Sequence, residues 1–108
     1  MASVRESDVV KQVVEYLFRL GWTPKRNHVG LFYTAWGQEI KIGEPGECDW
    51  VFLRPDCVLY LEIKRPGEKP SKEQREFIAK RRHQGFLADW TDSLEKLKEI
   101  LRAAGLPS

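Results

Sequence analysis

At 108 residues the chain is long enough for one hydrophobic core and too short for two, and 42% hydrophobic with 31% charged residues exclude a disordered chain. The longest apolar runs, such as Cys57-Val58-Leu59-Tyr60-Leu61, are too short to span a bilayer, and two cysteines exclude a disulfide scaffold. The net charge of +2 hides a division: residues 31–63 carry two Lys/Arg against six Asp/Glu, and residues 64–83 carry eight Lys/Arg against three Asp/Glu.

Met1-Ala2-Ser3-Val4-Arg5-Glu6 runs straight into a charged amphipathic segment, so no secretory leader is expected and the setting reads as intracellular. Ser3-Val4-Arg5-Glu6 reads as a capping box, and Val10, Val13, Leu17 and Leu20 follow at helical spacing until Gly21 ends the helix. Strands are expected near 22–27, 30–36 and 38–42, the last two forming a hairpin about Gly37. Gly43-Glu44-Pro45-Gly46-Glu47 reads as a loop. Strands Asp49–Leu53 and Val58–Lys64 follow, joined by a tight turn through Pro55. Arg65 to Pro70 is a loop, and Ser71 starts a helix reaching about His83, with Ser71 and Gln74 as a second capping-box pair. Gly85 precedes a short strand Phe86–Trp90, and a final helix Thr91–Ala104 is closed by Gly105 and Pro107.

Both faces of the 49–53/58–64 hairpin are apolar, with Val51, Leu53, Val58 and Tyr60 on one and Trp50, Phe52, Leu59, Leu61 and Ile63 on the other. Such a pair belongs in the middle of a sheet covered on both sides, which predicts an α/β sandwich over residues 1–108.

With the turn centred between Pro55 and Asp56, paired positions sum to 111, and Asp49 stands across from Glu62. Asp49, Glu62 and Lys64 then share one face, and directly opposed β-carbons are about 4.5–5.5 Å apart. Two carboxylates that close repel unless a cation or proton lies between them, and a hard divalent ion such as magnesium accepts oxygen ligands of this kind. A lysine two residues on can hold a phosphate or orient an attacking water. Charges at a sheet edge are often only a solvated face, but these sit within a strand pair that otherwise reads as buried, where charges are costly to keep.

Two further residues carry alternatives. Glu6 precedes Val10, Val13 and Leu17 by near-whole helical turns and so falls on the buried stripe, whereas Glu15, about 180° round the helix, faces solvent. Alone, Glu6 is better read as the partner of Ser3; beside Asp49 and Glu62, it is read as a third metal-site carboxylate. Gln74 is either the capping partner of Ser71 or a hydrogen-bonding group aimed at the site along the Phe77–Ile78 face.

Together, Glu6, Asp49, Glu62-Ile63-Lys64 and Gln74 resemble the PD-(D/E)XK nuclease superfamily, in particular its VRR-NUC branch with small stand-alone virus-type members. The likeness spans nearly the whole chain and departs at Cys48, where the family motif has proline before the Asp. It implies a restriction-endonuclease-like mixed sheet flanked by helices, and a Mg2+- or Mn2+-dependent endodeoxyribonuclease. It further implies metal ligation by Glu6, Asp49, Glu62 and the Ile63 carbonyl, with Lys64 as the catalytic lysine and Gln74 as a supporting active-site residue. A homodimer acting on four-way junctions or other branched DNA is implied too, in the host cytoplasm for a viral chain.

Arg65, Lys69, Lys72, Arg75, Lys80, Arg81 and Arg82 would then hold DNA phosphates by salt-sensitive contacts, although part of the Lys80-Arg81-Arg82-His83 cluster suits a helix C-terminus in any case. Cys48 and Cys57 read as small buried or turn residues, and His28 and His83 as surface or packing residues without a triad or metal pair. Trp22, Trp50 and Trp90 read as core or interface, with Trp36 at a hairpin tip as a dimer or DNA contact. The competing readings are a catalytically silent nucleic-acid-binding module of the same fold, and a protein-interaction domain using the acidic 43–47 loop.

Overall fold

The computed structural model describes residues 4–27, 30–33 and 35–108, with 30–33 and 40–42 described by backbone alone. Ser3 and His28 lie outside the described residues. Helix α1 (Glu6–Arg19) takes Arg5 as its N-cap, and the Arg5 backbone N–H donates to Asp8 Oδ2 at 3.0 Å. The residue that reaches back to the cap is therefore Asp8, and Glu6 is free of the capping role expected for it. Val9, Val13 and Leu17 form the buried line of α1. Glu15 faces out and pairs with Arg19 at 2.7 Å.

Strands β1 (Thr23–Arg26), β4 (Trp50–Arg54), β5 (Cys57–Ile63) and β6 (Leu87–Thr91) form one mixed sheet in the order β1-β4-β5-β6. Strands β1, β4 and β5 are antiparallel in turn, and β6 runs parallel to β5. The intervening β2 (Gly30–Tyr33) and β3 (Glu39–Ile42) pair with each other as a separate antiparallel hairpin. The β4–β5 register is Trp50 with Leu61, Val51 with Tyr60 and Arg54 with Cys57, as the turn at Pro55-Asp56 requires. These two strands occupy the centre of the sheet, which is why both of their faces are apolar.

Helices cover both faces. Phe52, Leu59, Leu61 and Ile63 pack with Val9, Val13 and Leu17 of α1 and with Leu97 and Leu101 of α3 (Leu94–Ala103). On the opposite face Tyr60 and Ala88 meet Phe77 and Ile78 of α2 (Lys72–His83) and the buried Cys48. The last helix starts later than expected, because Thr91 completes β6 and Ser93 is the N-cap, its hydroxyl accepting from the Lys96 N–H at 3.1 Å. Among the described residues no helix is long and apolar enough to cross a membrane.

Candidate functional site

The site forms where β4 begins and β5 ends. Continued by one position, the register sets Asp49 against Glu62, and the backbone N–H of Asp49 donates to Glu62 Oε2 at 3.2 Å. Gln74 Nε2 donates to the other oxygen, Glu62 Oε1, at 2.9 Å, and Lys64 Nζ lies 3.7 Å from that same atom. Asp49, Lys64 and Gln74 are thus gathered round one carboxylate that is only 1% exposed.

Each of these side chains is held by the local fold. Asn27 follows β1 and ties the start of β4 to it: its N–H donates to Asp49 O at 2.7 Å and its Nδ2 to Cys48 O at 3.1 Å. Lys64 extends the β5–β6 pairing by donating its N–H to Thr91 O at 2.8 Å. Its ammonium stands between Glu62 and Glu68 Oε1, the latter 3.6 Å away. Gln74 realises both of its alternatives. Its backbone N–H and Oε1 complete the capping box with Ser71 at 3.2 and 2.8 Å, and its Nε2 remains for Glu62.

Burial, and then the charge of Asp49, push the Glu62 carboxyl up to about 7; Glu6 adds a smaller upward push, and the Asp49 N–H and Lys64 oppose it. Burial and the neighbouring carboxylates together therefore outweigh what the Asp49 N–H and Lys64 return. A cation among them would relieve that, and the available donors are all hard oxygens.

A cleft of about 370 Å³ opens beside this end of the sheet, walled by Glu6, Lys11, Arg26, Asp49, Trp50 and Ile63. Glu6 is exposed there, not on the buried stripe expected from its spacing, because the sheet ends at Trp50 and Ile63 and leaves the first turn of α1 facing open space. Among the described residues no three His, Cys, Asp or Glu side chains are grouped so as to hold a metal ion. Asp49 and Glu62 stand together, with Glu6 further out on the wall. Lys11 and Arg26 were not singled out by spacing or motif. Only the β1–β4 register, which sets Arg26 against Trp50, brings Arg26 beside Asp49.

The basic stretch is largely paired within the molecule. Arg65 meets Glu68 at 2.7 Å, Lys72 meets Glu76 at 3.8 Å, and Lys80 and Arg81 both meet Glu44 at 2.9 Å. Arg81 is turned inward, over the Phe77 and Tyr60 rings. Arg82 donates from Nε to Ala88 O at 2.7 Å and pairs with Asp89 at 3.1 Å, so it fastens α2 to β6. Lys69 and Arg75 are exposed without such partners among the described residues. Cys48 is buried and Cys57 half-buried, both as free thiols, and His83 is exposed at the end of α2. Trp22 is buried, Trp50 and Trp90 are half-buried, and Trp36 is 92% exposed.

Compared with protein-family models, with curated proteins and with solved structures, the chain matches none.

Proposed function

We propose that the chain is a divalent-metal-dependent endodeoxyribonuclease with a restriction-endonuclease-like fold, of the VRR-NUC kind within the PD-(D/E)XK superfamily. The observation that carries this reading is the gathering of Asp49, Lys64 and Gln74 around the buried Glu62 carboxylate, with Asp49 also lining the neighbouring cleft. Burying a carboxylate against a second one costs stability, and a function that needs the charge there is the usual reason to keep it.

Asp49, Glu62 and the Ile63 carbonyl would hold Mg2+ or Mn2+, with Glu6 completing the set from the cleft wall. The ion would neutralise charge on a phosphodiester and lower the pKa of a bound water. Lys64, 13% exposed and reaching Glu62, would hold a phosphate oxygen or steer the attacking water. Gln74 fixes the Glu62 carboxylate plane through one charge-assisted hydrogen bond. Action on four-way junctions or other branched DNA as a homodimer is the part of the reading that rests on the family resemblance alone.

A second reading is favoured by one observation: the described residues show no three-residue metal cluster, as a catalytically silent nucleic-acid-binding module would have it. End-labelled duplex, flap and four-way-junction DNA incubated with Mg2+ or Mn2+ separates the two. Cutting that vanishes in chelator and in Glu62→Ala supports the nuclease, and salt-sensitive binding without cutting on any substrate supports the silent module.

A further inference from the structure

The charges along the cleft differ from most of those in the basic stretch in one respect. Arg65, Lys72, Lys80, Arg81 and Arg82 each have a carboxylate partner, so a phosphate arriving there must displace Glu68, Glu76, Glu44 or Asp89. Lys11 and Arg26 are exposed, line the cleft that holds Asp49, and have no carboxylate partner among the described residues. Arg26 instead lies 5.9 Å over the Trp50 ring, which leaves its guanidinium edge able to donate. Its place is fixed by the backbone: it pairs with Trp50 in the sheet, and the next residue, Asn27, is bonded to Asp49 O.

Building on the nuclease reading, we infer that Lys11 and Arg26 form a phosphate-binding subsite for the DNA backbone, so that the bound strand follows the α1–β1 side of Asp49. The cleft volume of about 370 Å³ falls in the usual range of roughly 300–1,000 Å³ for ligand sites. Its composition suits a phosphodiester strand, because two carboxylates, Glu6 and Asp49, face the same space as two unpaired cations. An anionic strand is repelled by the carboxylates alone and is held by cations that no internal partner already occupies. Sequence-independent contacts of this kind fix the register of a strand without reading its bases.

Binding of a fluorescein-labelled DNA duplex, followed by anisotropy in chelator across a range of KCl concentrations, tests this separately from cleavage. Lys11→Gln and Arg26→Gln should each reduce the slope of log affinity against log salt by about 1, and the double variant by about 2. Arg102→Gln is the control: it removes an exposed charge from α3, outside the cleft lining, and should leave the slope unchanged. Thermal unfolding by circular dichroism confirms that each variant is folded. Unchanged slopes in Lys11→Gln and Arg26→Gln, or an Arg102→Gln effect equal to that of Arg26→Gln, overturn the subsite while leaving the nuclease reading standing. Absence of salt-dependent binding by the wild-type chain overturns both.

Discussion

The side-chain amide of Gln74 joins helix α2 to the Glu62 carboxylate: Oε1 accepts the Ser71 N–H at 2.8 Å while Nε2 donates to Glu62 Oε1 at 2.9 Å. The amide can face only one way, because turning it would set two donors against each other at Ser71. Capping chemistry thus delivers a donor to the site at no extra positional cost. Gln74→Glu keeps an acceptor for Ser71 and loses the donor, so it should retain helix stability and yet repel Glu62. Gln74→Ala loses both and should cost about 1 kcal/mol or more in urea unfolding. On the nuclease reading both variants cut poorly and both lose stability, and the glutamate variant recovers as pH falls and the carboxyl pair takes up a proton. A glutamate variant with full activity would show that the Gln74–Glu62 bond is unimportant to the site.

Glu62 gives the protein a pH dependence of definite sign. In the folded chain its carboxyl releases its proton at about 7, against an ordinary value of 4.5. The raised value means that the folded state binds this proton more tightly than the unfolded state. The associated stability is full below pH 4.5 and is lost as pH rises toward 7, by about 3 kcal/mol at most. Glu62→Gln cannot titrate, so urea unfolding should show it gaining on wild type by that order across the same window. Added Mg2+ should restore wild-type stability above pH 7 and leave Glu62→Gln unmoved. Parallel pH profiles for the two proteins would count against a strained carboxylate here.

Much of this site was legible in the sequence because it rests on strand pairing. Once Pro55-Asp56 is taken as a two-residue turn, alternation and register carry Asp49 to Glu62 with no further assumption, and the structure follows that register. Gln74 was legible as a residue with two alternatives, which the structure combines. The burial expected of Glu6 is not found, because helical spacing gives the direction of a side chain but not how far the sheet beneath it extends. Arg81 and Arg82 looked like free surface charge because ion pairing to Glu44 and Asp89 depends on contacts remote in sequence. Arg26 carried no local signal at all, since its place beside Asp49 comes from a β1–β4 pairing across more than twenty residues.

Gly46 sits where the acidic loop crosses the first turn of α2. Its φ of +74° is in the left-handed region, and a β-carbon there would run into the Glu73 carbonyl and the Gln74 nitrogen. Gly67 has a similar φ of +82° but open space around it. Gly67→Ala should therefore cost only the conformational term, about 1–2 kcal/mol. Gly46→Ala should cost about 1–3 kcal/mol beyond that, as overpacking pushes the loop off α2 or shifts the turn that carries Gln74. Equal losses in urea unfolding for the two variants would mean that the loop yields without strain.

Glu68 holds two cations that the proposed reaction would use. Its Oε2 meets Arg65 Nε at 2.7 Å, and its Oε1 lies 3.6 Å from Lys64 Nζ. A substrate phosphate must take over one or both of these contacts, because Lys64 and Arg65 cannot serve two anions fully. A partly exposed ion pair is worth about 0.2–1 kcal/mol, so on the nuclease reading freeing both cations with Glu68→Gln should tighten DNA binding by roughly two- to thirtyfold. Glu95→Gln removes the same charge from α3, where the partner is Lys98, and should change binding much less. Anisotropy titrations of both variants in chelator decide the matter: equal gains would reduce the effect to net charge, and a larger gain in Glu68→Gln would mean that this carboxylate competes with the phosphate for Lys64 and Arg65.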